Sequence, residues 1–196
     1  MEENLYKIFF ATLFFPFLSF WLWKFFLTGM RKESFYTLKE GVFAAWLFRL
    51  LLTAGVACII LYLFRSNLIR CFRVDLPTWL RLAGLPLGIC IFALIIWTFH
   101  SLDNNYFASL NLRKDHELIT TGLYSRVRHP LYLLFALLWI CYFLLSANLA
   151  IGIPGIAAYL VIYLFRIPRE EKMLADHFGE KYEQYREKTG MLLPRF

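Results

Sequence analysis

The chain consists of long apolar runs separated by short polar stretches. Five runs stand out in the 196-residue sequence, and they cover about residues 5–27, 41–64, 82–99, 131–145 and 149–165. Inside lipid the backbone polar groups must bond within their own segment, so each run is predicted to be a helix. The last two runs are shorter than the ~20 residues of a perpendicular span. They are separated by Ser146, Ala147 and Asn148 alone, and so short a connection predicts an antiparallel helical hairpin.

The charges that flank these runs predict an orientation. With five spans, the N-terminus, the 65–81 segment and the 146–148 turn share one side of the membrane, and that side carries five basic residues. The other side, with the 28–40 and 100–130 segments and the C-terminus, carries fourteen. Because Lys and Arg favour the cytosolic side, the N-terminus is predicted to lie outside and the C-terminus in the cytosol.

Two features inside the runs raise structural questions. Arg49 lies within the second run, where a charge indicates either a functional site or a side chain that reaches the interface. Gly84 and Gly88 form a GxxxG pattern in the third run, which permits close helix packing and is a weak indication of a dimer.

Polar residues that could carry chemistry are concentrated at the two ends of the hairpin. Residues 122–132 (Gly-Leu-Tyr-Ser-Arg-Val-Arg-His-Pro-Leu-Tyr) precede it, and Arg166, Glu170 and Glu171 follow it. Because the hairpin is antiparallel, both ends meet at one membrane face, which indicates a single site. Each end also has a simpler explanation, since Pro130 suits the first turn of a helix and Arg166 with Glu170 suits an interfacial ion pair.

The sequence after the hairpin predicts one amphipathic helix over residues 168–188. Its apolar and aromatic positions recur at spacings of four, four and three residues, namely Leu174, Phe178, Tyr182 and Tyr185. Charged residues occupy the opposite face, so we expect this helix to lie against the membrane surface or to cap the hairpin. Pro168 disfavours helical geometry at the preceding residue, and we therefore expect the chain to kink there and to begin a new helix at Pro168.

Composition narrows the classes of function. Sixty per cent of the residues are hydrophobic, which exceeds the usual share of a soluble domain. The net charge of +7 is located at the ends of the apolar runs, as in membrane proteins, so nucleic-acid binding is not predicted. The four cysteines lack the spacing of a zinc site, and no metal is predicted. The sequence contains no Gly-x-Gly, which argues against a Rossmann domain.

The two motifs together resemble a known family. The string from His116 to Tyr132 and the stretch from Arg166 through Glu170-Glu171 and Phe178-Gly179 to Pro194 are similar to the cofactor motif and the C-terminal signature of the isoprenylcysteine carboxyl methyltransferase family. With the hydrophobic pattern, this predicts an all-α integral membrane protein of about five transmembrane helices, with a tight C-terminal hairpin and a cytosolic amphipathic C-terminal helix. We predict a single membrane domain over residues 1–196, with three spans in residues 1–99 and the cofactor-binding segment, hairpin and C-terminal helix in residues 100–196.

The same resemblance implies a cofactor and its binding residues. The methyl donor would be S-adenosylmethionine, and the product S-adenosylhomocysteine. The implied cofactor-binding residues are His116, Glu117, Leu118, Ile119, Tyr124, His129, Pro130, Leu131, Tyr132 and Glu170. Arg166 would hold the acceptor, which makes Arg166 and Glu170 the candidate catalytic residues. Pro168, between these two, departs from the family pattern.

The leading functional hypothesis is methyl transfer to a lipid-borne carboxylate. The resemblance implies the C-terminal carboxylate of a prenylated cysteine, as in a protein-S-isoprenylcysteine O-methyltransferase, with membrane lipids as neighbours. A carboxylate is ionised at neutral pH, so its methylation needs no general base, and an arginine suits its orientation. One alternative is a phospholipid N-methyltransferase, for which His129, His100 or Glu171 would be the base. A second alternative is a non-enzymatic membrane protein on the same fold.

Overall fold

Helices account for nearly all of the regular structure. The computed structural model describes residues 2–29, 41–102 and 118–195. Seven α-helices lie in these ranges: α1 Glu2–Gly29, α2 Val42–Arg65, α3 Thr78–Leu102, α4 Pro130–Ser146, α5 Leu149–Val161, α6 Ile167–Phe178 and α7 Glu180–Lys188. Short 3-10 helices cover Ser66–Phe72 and Gly122–Ser125, and a π-helical turn, Ile162–Arg166, joins α5 to α6. The predicted all-α fold is confirmed.

The predicted apolar runs all lie in helices. Four helical segments are long and apolar enough to cross a membrane, namely Glu3–Leu27, Val42–Phe72, Thr78–Leu102 and Leu149–Phe178. The remaining apolar helix, Pro130–Ser146, has 17 residues and is the first helix of the predicted hairpin. The chain is therefore an integral membrane protein.

The core of the bundle lies between α1, α3 and α4. Phe10 and Leu13 of α1, Ile95 of α3, and Leu138 and Leu145 of α4 are each at most 2% exposed. Many other large apolar side chains of α1, α2 and α3 are exposed, as expected for helices whose outer faces contact lipid rather than water.

The two glycines of the GxxxG pattern pack against other helices of the same chain. A Cβ at Gly84 would lie 3.1 Å from the Cys141 carbonyl oxygen of α4, and one at Gly88 would lie 2.3 Å from the Leu13 side chain of α1. The two glycines therefore let α3 approach α4 and α1 closely, and the pattern no longer indicates a dimer. Arg49 also has a local explanation, because its guanidinium lies 5.2 Å from the centre of the Trp46 ring.

The C-terminal part differs from the prediction in two ways. The expected single helix over residues 168–188 is wrong, because Gly179 (φ 56°, ψ −130°) separates α6 from α7 in a conformation that favours glycine. The expected break at Pro168 is replaced by the π-helical turn, and Ile167 keeps helical angles (φ −57°, ψ −48°). A wider turn accommodates the missing N–H and the ring of proline without a sharp kink.

A partly buried ionic cluster lies at the end of the bundle where the α4–α5 turn is located. The Glu3 carboxylate accepts hydrogen bonds from Tyr62 at 3.0 Å and from Arg81 at 3.3 Å, and it lies 3.4 Å from Arg73. Arg81 also donates to the Leu145 carbonyl oxygen at 2.9 Å. We call these residues the distal cluster, and they join α1, α2, α3 and the end of α4.

Candidate active site

The hairpin places both polar motifs at one end of the bundle. Ala147 adopts a left-handed conformation (φ 48°) at the tight turn, and the Asn148 side chain caps α5 by accepting from the Ala150 N–H at 2.9 Å. The indole of Trp139 fits into a notch at Gly155, where a Cβ would lie 2.2 Å from the ring. This close antiparallel packing brings the start of α4 level with Arg166, as the sequence predicts.

Tyr132 joins the two predicted catalytic residues. Its hydroxyl donates to the Glu170 carboxylate at 2.8 Å and accepts from Arg166 Nε at 2.7 Å. The Tyr132 ring also lies nearly parallel to the His129 ring, at 5.8 Å between ring centres. Arg166, Glu170 and Tyr132 thus form one connected group, although they come from two helices and the π-helical turn.

Glu171 collects three donors from other parts of the chain. Arg128 pairs with it through two hydrogen bonds, with Nε at 2.9 Å from Oε1 and Nη2 at 3.1 Å from Oε2. His129 Nε2 lies 2.8 Å from Oε1, and the Tyr182 hydroxyl donates to the same oxygen at 2.7 Å. An ionised carboxylate only accepts hydrogen bonds, so Nε2 of His129 carries the proton in this arrangement.

The chain after α7 returns to the start of the site. The N–H groups of Arg128 and His129 donate to the carbonyl oxygens of Gly190 and Met191 at 2.9 and 3.0 Å, and the Gly190 N–H donates to the Arg126 carbonyl at 3.2 Å. The Arg128 guanidinium also donates to the Thr189 carbonyl oxygen. We call residues 189–191 the C-terminal clasp, because they hold the backbone just before α4.

Two tyrosines of α7 support this closure. Burial and the neighbouring Glu171 carboxylate raise the pKa of Tyr182 well above its ordinary value. Burial also raises the pKa of Tyr185 to about 12, and its hydroxyl donates to the Tyr124 carbonyl oxygen at 2.6 Å. Both phenols therefore stay protonated at physiological pH and remain donors.

The structure brings together part of the predicted cofactor set. His129, Tyr132 and Glu170 form the connected site with Arg166, and Pro130 and Leu131 are buried in the first turn of α4. Tyr124 lies in the 3-10 helix before α4 and joins the group through Tyr185. Leu118 and Ile119 are partly buried in irregular backbone upstream. His116 and Glu117 lie outside the described residues, so their roles stay predictions.

Three residues of the site were not among the predicted site residues. Arg128 and Tyr182 donate to Glu171, which was considered only as a candidate base, and the Thr189 carbonyl oxygen accepts from Arg128. Arg128 stands in the same motif as His129, and Tyr182 belongs to the recurring aromatic positions of the C-terminal segment. That pattern indicated burial against the rest of the protein but not the carboxylate to which the tyrosine donates.

A comparison with protein families gives a match to part of the chain. Residues 84–176 match the model of the isoprenylcysteine carboxyl methyltransferase (ICMT) family. The predicted family resemblance is confirmed. The matched residues contain the hairpin, the Arg128–Tyr132 motif, Arg166, Glu170 and Glu171, whereas α1, α2, α7 and the C-terminal clasp lie outside the match.

Individual proteins are also similar to part of this chain. Protein-S-isoprenylcysteine O-methyltransferase of Schizosaccharomyces pombe is 38% identical over 86 residues, which cover 41% of this chain and 34% of the relative. Methanethiol S-methyltransferase 1 of Bradyrhizobium diazoefficiens is 41% identical over 76 residues, which cover 38% of this chain and 25% of the relative. The chain thus matches about a third of the length of the first relative and a quarter of the length of the second.

A solved structure shares the fold of a larger part. The eukaryotic intramembrane Ras methyltransferase ICMT superposes with a TM-score of 0.53 and 24% sequence identity, over 78% of this chain and 51% of that chain. This likeness concerns the fold, and it includes more of the chain than the family match does.

An apolar groove leads to the site from the side of α2. It is lined by residues of α2, α5 and the π-helical turn, namely Ala44, Ala45, Phe48, Val161, Ile162, Phe165 and Arg166, and it is open to the outside. Among its lining residues Arg166 alone is charged. The wall formed by α2 lies outside the residues that match the ICMT family.

Proposed function

We propose that this protein transfers a methyl group from S-adenosylmethionine to a lipid-borne carboxylate, in the first place the C-terminal carboxylate of a prenylated cysteine, and gives a methyl ester. The family match and the relatives named above support methyl transfer. The proposal places the N-terminus outside and the site in the cytosol, in agreement with the distribution of basic residues. It treats residues 1–196 as one membrane domain.

The residues at the hairpin end fit the chemistry of the cofactor. S-adenosylmethionine has cationic groups, hydroxyl groups and an aromatic base. Glu170 offers a carboxylate at the site, and the parallel His129 and Tyr132 rings offer an aromatic surface. His116, Glu117, Leu118, Ile119, Tyr124, Pro130 and Leu131 complete the proposed cofactor set. When bound, S-adenosylmethionine supplies an electrophilic methyl group.

The single observation that carries the acceptor assignment is the position of Arg166. It lies in the wall of an apolar groove that opens to the outside, and its Nε donates to the hydroxyl shared with Glu170. A molecule that fits such a groove combines an apolar tail with an anionic head. We therefore assign the tail to the groove between α2 and α5 and the carboxylate to Arg166.

In this proposal the residues act by orientation and charge. Arg166 binds and orients the carboxylate, and Tyr132 holds the guanidinium in place through its hydroxyl. Glu170 holds a cationic or hydroxyl group of the cofactor. The apolar lining of the groove excludes water from the carboxylate, which makes it a stronger nucleophile. The methylated product is neutral, so its attraction to Arg166 falls and its release is favoured.

The geometry fits a lipid amine less well. Methylation of an amine needs the neutral form and a proton acceptor, for which Glu171 and His129 were candidates. Glu171 already accepts from Arg128, His129 and Tyr182, and the proton-bearing Nε2 of His129 faces that carboxylate. Arg166 would also repel an ammonium group.

A small thiol is a second candidate acceptor. The relative from Bradyrhizobium diazoefficiens is named methanethiol S-methyltransferase 1, and its identity to this chain (41%) is similar to that of the isoprenylcysteine relative (38%). Both matches cover less than half of this chain. The acceptor must therefore be tested directly.

The decisive experiment offers three acceptors to the purified protein in lipid vesicles with methyl-labelled S-adenosylmethionine. The acceptors are a farnesylated cysteine analogue, phosphatidylethanolamine and methanethiol. We expect label in the farnesylated compound, released as methanol by alkali, because a methyl ester is hydrolysed. Label that survives alkali in the phospholipid would show that the acceptor is an amine and not a carboxylate. A volatile labelled sulfide would show that the acceptor is a thiol. Label in none of the three would contradict the proposed activity.

A further inference from the structure

Glu171 is the common partner of three separate segments. It belongs to α6, and its donors come from the residues before α4 (Arg128 and His129) and from α7 (Tyr182). We propose that Glu171 is a positioning residue that holds the Arg128–Tyr132 segment and the C-terminal clasp in register with α6, and so shapes the cofactor site without touching the reacting atoms. The inference rests on the proposed function, since it concerns the binding of the same cofactor.

The two adjacent glutamates have different surroundings. Glu170 accepts from Tyr132, whose hydroxyl also accepts from Arg166, a residue of the groove wall. Glu171 accepts from Arg128 and His129, which precede α4, and from Tyr182 of α7. Adjacent residues on a helix are about 100° apart around its axis, so one carboxylate can serve the reacting group while the other serves the scaffold.

Burial makes the Glu171 contacts hard to replace by water. The side chains of Arg128, His129 and Glu171 are 9%, 3% and 15% exposed. A buried donor that loses its partner costs more than the hydrogen bond contributes. Loss of the Glu171 charge would therefore leave Arg128 and His129 to seek other partners, and both belong to the segment that leads into the proposed cofactor residues.

Arg128 extends the effect of Glu171 to the C-terminal clasp. Its remaining donors contact the carbonyl oxygens of Thr189 and Arg186, and its own N–H bonds Gly190. The guanidinium thus has Glu171 on one side and the end of α7 on the other. Once the Glu171 charge is removed, the C-terminal clasp and the backbone before α4 lose the ion pair between Arg128 and Glu171 that connects them to α6.

The test compares two substitutions of the same chemistry. Glu171→Gln removes a charge at the centre of this network, and Glu183→Gln removes one from an exposed pair with Arg186 on α7. The affinity of each full-length variant for S-adenosylhomocysteine is measured by calorimetry, and KM for S-adenosylmethionine and kcat are measured separately. We expect Glu171→Gln to weaken binding and to raise KM by about ten- to hundredfold, with kcat within about threefold, because Tyr132, Arg166 and Glu170 keep their contacts. Glu183→Gln should leave the affinity for S-adenosylhomocysteine, KM and kcat unchanged.

Two further variants keep the result decisive if Glu171→Gln does not fold. Tyr182→Phe removes one of the three donors and should weaken cofactor binding by a smaller factor than Glu171→Gln. Glu171→Asp keeps the charge and should retain more affinity than the glutamine variant. A fall in kcat with unchanged KM, or unchanged affinity in folded Glu171→Gln or Tyr182→Phe, would overturn the inference. Failure of the wild-type protein to bind S-adenosylhomocysteine would instead overturn the proposed function.

Discussion

The two ends of the bundle contain similar ionic clusters, and they differ in what lies beside them. In the distal cluster Arg81 meets the Glu3 carboxylate and the Leu145 carbonyl oxygen, and Tyr62 donates to the same carboxylate. At the candidate active site Arg128 meets Glu171 and the Thr189 carbonyl oxygen, and Tyr182 donates to that carboxylate. Each cluster ties several helices together through one carboxylate.

The active-site end has a second pair of charges as well. Arg166 and Glu170 meet on the Tyr132 hydroxyl, and Arg166 also lines an apolar groove. A glutamate paired with a buried arginine is thus not in itself a sign of function, since the distal cluster has such a pair. The candidate site is distinguished by two charged residues that share the Tyr132 hydroxyl beside an apolar groove.

The largest expected effect comes from Arg166. We expect Arg166→Ala to lower the rate of methyl transfer more than about a hundredfold, because a carboxylate loses its charged partner in a site shielded from water. Affinity for S-adenosylhomocysteine should stay within about tenfold. Single-turnover rates and calorimetry measure the two quantities, with Lys172→Ala of α6 as the control. A loss of affinity as large as the loss of rate would assign Arg166 to the cofactor.

The next largest effect should come from the groove. Ala45→Phe places a large ring between α2 and the π-helical turn, so we expect the rate with a farnesylated acceptor to fall about tenfold. A short-chain acceptor with the same cysteine carboxylate should lose less than about twofold. Ala57→Phe, on the exposed face of α2, is the matched control. Equal losses of rate with the farnesylated and the short-chain acceptor would mean that the farnesyl tail does not bind in this groove.

The sequence predicted the architecture well because the bilayer restricts what an apolar run can do. The five runs, the three-residue turn and the two polar motifs determined where the helices lie and that the motifs share one end. The π-helical turn at Ile162–Arg166 was not predictable in this way, since the sequence signals only a proline and not how the helix adapts to it. The break at Gly179 was missed because the recurring aromatic positions continue past it.

The site was predicted in part, and the part missed depends on long-range contacts. Tyr132, Arg166 and Glu170 were expected together, and they meet. The contacts of Glu171 were not predicted, because its partners are 11, 42 and 43 residues away and no local spacing connects them. Arg81 was counted among the charges of the 65–81 segment between two spans. In the structure it lies in the first turn of α3 and is 5% exposed.

A substitution in the distal cluster tests whether the two ends differ in role. Arg81→Met removes the partner of Glu3 and leaves the Leu145 carbonyl oxygen without that donor. We expect the free energy of unfolding to fall by about 3 kcal/mol, with cofactor affinity of the folded protein unchanged within about twofold. Thermal unfolding in detergent and calorimetry below the midpoint measure the two. Weaker cofactor binding in folded Arg81→Met would mean that the two ends are coupled.

The smallest expected effect concerns alkaline pH. Burial raises the pKa of Tyr185 to about 12 from the model-compound value of 10.0. A raised pKa stabilises the folded state fully below pH 10, and this contribution is lost as the pH rises from about 10 to about 12. The hydrogen bond to the Tyr124 carbonyl should therefore persist at a pH where exposed tyrosines have ionised, and Tyr185→Phe should lower stability by about 1 kcal/mol below that range. Ultraviolet absorbance of tyrosinate during a pH titration, compared between wild type and Tyr185→Phe, measures this group. The difference between the two titrations is the ionisation of Tyr185. If Tyr185 ionises near pH 10, its phenol is not buried against Tyr124 as the structure has it. In that case α7 contributes less to the closure of the site than its contact with Glu171 requires.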